Sequence, residues 1–214
     1  MKITLCEATA LSSSSRTESS ISYRAPGSLK DAQTVQFITA PFPEETEFTG
    51  HVVVHLNVSA SSLPETNTNP SEIDLFVTLR HLDAQGEEIF YTGTVGDPVP
   101  VTKGWLRVSL RKVADSHPRH RAWRPHREYR STDVLPVESG VVYAVDVEVW
   151  PTNVVVGKGH RLVLEVSSGD TQGAGLFEHN SEEDRPRDRL EGLNTIHFGP
   201  ECDNWILLPL IPAL

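Results

Sequence analysis

Hydrophobic and polar positions alternate with a period of two through most of this chain. From His51 to Ser59, the side chains Val52, Val54, Leu56 and Val58 fall on one face, and His51, His55 and Asn57 on the other. Successive side chains of a strand point to opposite sides of a sheet, so the pattern predicts a strand with one buried face. Ile73, Leu75, Val77 and Leu79 repeat it against Asp74, Thr78 and Arg80. Leu106, Val108 and Leu110 do so against Arg107, Ser109 and Arg111, which places Arg107 and Arg111 toward solvent or a partner. The longest run covers 141–150, where Val141, Tyr143, Val145, Val147 and Val149 oppose Asp146 and Glu148. Trp150-Pro151 is expected to end that strand, because proline cannot donate to a ladder. Further strands are predicted over 161–167 and 205–210.

Turn chemistry separates these runs at Asp83-Ala84-Gln85-Gly86, Gly96-Asp97-Pro98, Glu138-Ser139-Gly140 and Gly157-Lys158-Gly159. No stretch carries the periodicity of an amphipathic helix of three turns, and no internal repeat is visible. Strands without intervening helices predict an all-β fold, an antiparallel β-sandwich of jelly-roll type. Residues 1–20, rich in Ser and Thr and without periodicity, read as a poorly ordered leader, followed by one domain over 21–214. Two connections are long for a compact domain, 114–136 and 169–193, and long connections usually pack on something or act.

Composition narrows the function classes. An apolar share of 38% with 22% charged residues suits a soluble globular chain. The formal net charge of -10 argues against a nucleic-acid partner, which needs clustered cations. No apolar run approaches the ~20 residues of a membrane span, and no signal-peptide core is present. A cytoplasmic location is expected, with Cys6 and Cys202 as free thiols rather than a bridge tying the two ends.

Self-contained catalysis is not expected. A serine hydrolase elbow needs Gly two residues before and after the nucleophile, followed by a helix, and no serine here meets either condition. His117, His120 and His126 share one connection, but they lack metal-site spacing and stand among Arg119, Arg121, Arg124 and Arg127, whose charge opposes a cation. They read as a solvated or partner-facing basic loop, with no metal and no cofactor. Asp170, Glu178, His179, Glu182, Glu183 and Asp184 lack the calcium-loop pattern and read as a solvated acidic loop, with cation-dependent binding as the weaker alternative. Trp105, Trp150 and Trp205 fall in or beside strands and read as core or sheet-packing residues.

Read together, several segments resemble a known family. Glu47-Phe48-Thr49-Gly50, Ile73-Asp74-Leu75-Phe76-Val77-Thr78-Leu79, Leu82-Asp83-Ala84-Gln85-Gly86, Gly104-Trp105-Leu106-Arg107-Val108-Ser109, Val149-Trp150-Pro151-Thr152 with Gly159-His160-Arg161-Leu162, and Asn194-Thr195-Ile196-His197 occur in the order found in the C-terminal domain of the X-Pro dipeptidyl-peptidase and cocaine esterase family. Leu207-Leu208-Pro209-Leu210-Ile211-Pro212 closes the likeness, which covers about 20–212. The resemblance implies a jelly roll of galactose-binding-like topology that follows an α/β-hydrolase domain, here absent. It implies an accessory role beside a serine hydrolase of esters, amides or X-Pro peptides, with no turnover by this chain alone. His160 then stands at a strand start, where it is expected to bond a turn. Trp123, Tyr129, Leu176 and Phe177 are the expected interdomain contacts, and a bare contact surface implies a tendency to self-associate. A carbohydrate-binding module of the same fold is the alternative.

Overall fold

The computed structural model describes residues 1–5, 18–66, 68–175 and 178–212. Its strands are β1 (Lys2–Thr4), β2 (Ser19–Ala25), β3 (Thr34–Ile38), β4 (Thr46–Ser61), β5 (Asp74–Leu82), β6 (Glu88–Ile89), β7 (Tyr91–Thr92), β8 (Pro98–Val99), β9 (Thr102–Arg107), β10 (Tyr143–Val156), β11 (Arg161–Ser167), β12 (Gly192–Phe198) and β13 (Trp205–Leu207). The helical elements are two 3-10 turns, Val108–Leu110 and Ser131–Asp133, and one short helix, Arg187–Leu190. All strand pairs are antiparallel, in the order β1-β13-β4-β10-β9-β5-β11-β3. β12 joins β4 to β2, and β7 pairs with β8 apart from the main sheet. The sheet curls on itself, so that Phe37 of β3 meets Phe198 of β12 with ring centres 6.1 Å apart. One core fills the inside, built from the alternating residues Val52, Val54, Leu56 and Val58, Leu75 and Val77, Val145, Val147 and Val149, and Leu162 and Leu164. This is the all-β antiparallel sandwich that the alternation predicts.

Where the prediction and the structure part, long-range contacts are the cause. Val141 and Val142 are exposed, and β10 begins only at Tyr143. Trp150-Pro151 does not end β10. Val149 pairs with Val52 and Thr152 with Gly50, so two residues of β10 stand opposite His51 alone. This β-bulge absorbs the proline, which has no N–H to give, and the Thr102 hydroxyl captures the freed Trp150 carbonyl at 2.7 Å. β9 ends at Arg107, and Val108–Leu110 turns away as a 3-10 segment. Lys2–Thr4, within the segment read as a leader, forms β1 against β13, and Leu5 is buried; residues 6–17 lie outside the described residues. Cys6 is among them, and so is the question of its pairing with Cys202.

The polar face of β5 is not solvated either, because the chain after β11 folds across it. Arg80 is buried there and donates to Glu165 and Glu88, each at 2.8 Å, and to the Thr171 hydroxyl at 3.0 Å. Burial alone would raise the Glu165 carboxyl, but the hydrogen bond and charge of Arg80 outweigh it and hold the group below the ordinary value of 4.5. At the opposite end, Gly157-Lys158-Gly159 turns the chain from β10 into β11. Gly159 has φ +80, and the His160 N–H closes the turn on the Gly157 carbonyl at 3.1 Å. The His160 ring does not serve the turn; its Nδ1 lies 2.9 Å from His81 Nε2.

Two outcomes follow from these contacts. Gly159→Val should destabilise the domain by about 1–3 kcal/mol, because a β-branched residue is strained at positive φ, while Lys158→Ala stays near neutral. Denaturant unfolding checks both, and an unchanged midpoint for Gly159→Val would contradict the turn. Arg80→Met should cost about 3–5 kcal/mol by leaving Glu165 buried without its partner, and Arg80→Met/Glu165→Met should recover most of that loss. Glu165 is held low in the folded state, so its stabilisation is present above the ordinary carboxylate value and fades as pH falls through the folded one. Stability measured from pH 7 down to pH 3 should therefore drop more in the parent than in the double variant.

Candidate interdomain surface

The connection from 114 to 136 folds into a lobe held by its own backbone. The Ala114 N–H bonds the His126 carbonyl at 2.8 Å, and Arg121 and Arg124 exchange backbone bonds at 3.1 and 2.9 Å. Inside it the rings of His117 and His126 stack with centres 3.9 Å apart. Arg127 ties the lobe to the sheet, with Nη2 donating to the Asp146 carbonyl at 2.5 Å and Nε to the Arg111 carbonyl at 3.4 Å. Tyr129 follows with φ 52, a conformation rare for a non-glycine residue and held only where its surroundings impose it. Trp123 is 53% exposed and Tyr129 57%, both large apolar surfaces set among arginines.

The second connection, 169–193, lies over β5 and β9. Asp74 anchors it: Arg107 donates to both of its carboxylate oxygens, at 2.8 and 3.0 Å, and Arg185 Nε donates to Oδ2 at 3.0 Å. The same arginines hold the connection, Arg107 through the Asp184 carbonyl at 2.7 Å and Arg185 through the His179 carbonyl at 2.8 Å. Arg107 thus binds inside the domain rather than facing solvent. Arg111 lies over the Tyr143 ring, 4.3 Å from its centre, and bonds the Val108 and Pro136 carbonyls. Asp170 is buried instead of solvated, and accepts the His179 N–H at 2.6 Å. Leu176 and Phe177 lie outside the described residues.

Between this connection and the sheet runs a row of stacked groups. The Arg185 guanidinium sits 4.9 Å above Phe76, Phe76 meets His179 edge-on at 5.1 Å, and His179 lies 5.4 Å from Trp105. Trp105 contacts Trp150 at 5.3 Å and 76°. A cleft of about 440 Å3 opens beside Phe76, Trp105, Arg107 and His179. Trp150, read from the sequence as a packing residue, is 64% exposed. The phase of β10 held the signal, since Val149 points inward and its neighbour must point out. Trp205 is a sheet-packing residue, stacked on His55 at 5.1 Å and 7°.

Hydrolytic chemistry has little to build on. Ser59 Oγ lies 2.8 Å from His197 Nε2, yet Ser59 is buried within β4 where it pairs with β12, and no carboxylate orients His197 among the described residues. Burial holds the His197 imidazole below its ordinary value. A nucleophile needs an open approach and an oriented base, and this pair has neither. No group of three or more His, Cys, Asp or Glu side chains suited to a metal ion occurs among the described residues, and none of their helices is long and apolar enough to cross a membrane.

The family model of the X-Pro dipeptidyl-peptidase C-terminal non-catalytic domain matches residues 5–207. The chain belongs to that family. A CocE/NonD family hydrolase from Staphylococcus aureus has the same fold, with a TM-score of 0.79 at 20% identity over 98% of this chain and 36% of the hydrolase. The cocaine esterase of Rhodococcus is 35% identical over 91 residues, 39% of this chain and 15% of the esterase. A Mycobacterium bovis protein provisionally named as a serine esterase is 28% identical over 141 residues, 66% of this chain. The match spans 20% of the mycobacterial protein's length. The X-Pro dipeptidyl-peptidase C-terminal domain is thus the non-catalytic part of larger hydrolases, and an accessory domain.

Proposed function

We propose that this domain docks through the 114–136 lobe and the 169–193 connection onto the α/β-hydrolase domain of a serine hydrolase, stabilises it and borders its active site. Ester, amide or X-Pro peptide hydrolysis then belongs to that partner domain. The observation that carries the reading is the exposure of Trp123 and Tyr129 among arginines. Large aromatic and Arg side chains combine contact area with directional bonds, and they dominate the energetics of such interfaces. Trp123, Tyr129, Leu176 and Phe177 are the proposed contacts, and the same bare surface would drive self-association of the lone domain.

A carbohydrate-binding role is favoured by a single feature, the exposed Trp150 set against Trp105, which itself lines a cleft. The two readings differ in outcome. Under the docking reading, simple sugars and oligosaccharides leave tryptophan fluorescence unchanged; saturable quenching abolished by Trp150→Ala would support the sugar site.

Two further outcomes test docking. The purified chain should release no p-nitrophenol from acetate or butyrate esters above buffer, and a fluorophosphonate should label none of its serines. A labelled serine with saturable turnover would overturn the accessory role. With the α/β-hydrolase domain from the same genome supplied as a separate polypeptide, Trp123→Ala/Tyr129→Ala should weaken association by about tenfold or more, a change of roughly 1.4 kcal/mol or greater. Equal affinity of parent and variant would move the interface elsewhere.

A further inference from the structure

The 114–130 lobe gathers positive charge that the rest of the chain does not neutralise. The protein has 29 acidic against 19 basic residues, yet no carboxylate stands within ion-pair distance of Arg119, Arg121, Arg124 or Arg127 among the described residues. Arg127 is the sharpest case. It is only 7% exposed, and it donates to the Arg111 and Asp146 carbonyls, which satisfy donors without cancelling the charge. Asp146, whose backbone carbonyl takes Arg127 Nη2, has its carboxylate on His55 Nδ1 at 2.6 Å. A guanidinium withdrawn from water without an opposite charge is unfavourable, and burial pulls Arg127 below its ordinary value.

A cavity of about 360 Å3 opens at this charge. Arg119, Arg124, His126, Arg127 and Tyr129 line it together with Glu148, so three arginines stand against one glutamate in the lining. Glu148 opposes a bound anion and does not balance the three. The Arg124 guanidinium donates to the Arg119 carbonyl at 3.2 Å, and Tyr129 lines the same cavity from a backbone held at positive φ. His126 senses the same field: burial, then His117, Arg119 and Arg124, keep its imidazole below the usual 6.5.

We propose that this lobe is a binding site for a small phosphate- or carboxylate-bearing anion, held by Arg119, Arg124, Arg127 and the Tyr129 hydroxyl. Planar guanidinia match the oxygen spacing of both groups and bind them through paired charge-assisted hydrogen bonds. The anion supplies the counter-charge that Arg127 lacks. The site shares Tyr129 with the proposed docking surface, and it is tested on this chain without a partner domain.

Isothermal titration of the full chain with sodium phosphate, and separately with citrate, tests it at pH 7 with ionic strength held constant by sodium chloride. Saturable heat with either probe is expected, and Arg119→Gln/Arg124→Gln should weaken it more than about tenfold. Arg130→Gln, which removes an exposed arginine bonded to Glu128 outside the cavity, should leave it unchanged. A saturating amount of the probe that binds should also move the His126 ring titration upward in NMR spectra of the parent, and not in the double variant. The proposal is overturned by the absence of saturable heat with both probes, by equal losses in Arg130→Gln, or by a His126 midpoint that the bound probe leaves in place.

Discussion

Backbone pairing along β4 is the constraint on which the curled sheet depends. Over Thr46–Val58 one edge bonds β10, and the other edge bonds β13 at Val53–His55 and β12 at Val58–Ser61. Between those two partners the ladder would be broken at Asn57. Asn204 fills the gap, its side-chain oxygen accepting the Asn57 N–H at 2.7 Å while its amide donates to the His197 carbonyl at 2.6 Å. Asn204 is fully buried, so its bonds replace those that water would otherwise have to make. With β4 held on both edges, the sheet curls and its apolar faces close on one core.

The surface features descend from that frame. On the β10 side of β4, a two-for-one bulge at Trp150-Pro151 keeps the ladder going and turns Trp150 outward. β9 approaches β10 so closely at Gly104 that a Cβ there would lie 2.3 Å from the Glu148 carbonyl. That approach sets Trp105 beside Trp150. Asp74, at the start of β5, then pins the 169–193 connection through two arginines, and Arg127 pins the 114–136 lobe to β10. Both connections are therefore ordered by charges and carbonyls seated on strands, not by cores of their own. An accessory domain needs rigid presenting surfaces of this kind, because ordering a loop during docking costs conformational entropy.

Much of the fold was legible in the sequence because its cause is local. The inward faces of β4, β5, β10 and β11 repeat every second residue, and the Gly157-Lys158-Gly159 turn carries its glycine at positive φ. The outer faces were not legible. Asp74, Thr78 and Arg80 look like solvent-facing residues in alternation, yet a connection about 90 residues further on covers Arg80. The proline at 151 signals a strand end locally, and only the pairing with His51 on β4 converts it into a bulge. Short strands such as β1, β6 and β7 carry too few residues to show a period. The candidate surface was half legible: Trp123 and Tyr129 stood out as aromatics among arginines, whereas the Phe76–His179–Trp105–Trp150 row needs three separate elements in register.

Backbone hydrogen exchange of the domain, alone and with the α/β-hydrolase domain added, measures where the partner sits without assuming which side chains matter. The account predicts new protection confined to the 114–136 lobe and the 169–193 connection, with the Gly157–Gly159 turn at the other ends of β10 and β11 unchanged. Protection centred on that turn, or none at saturating partner, would contradict it.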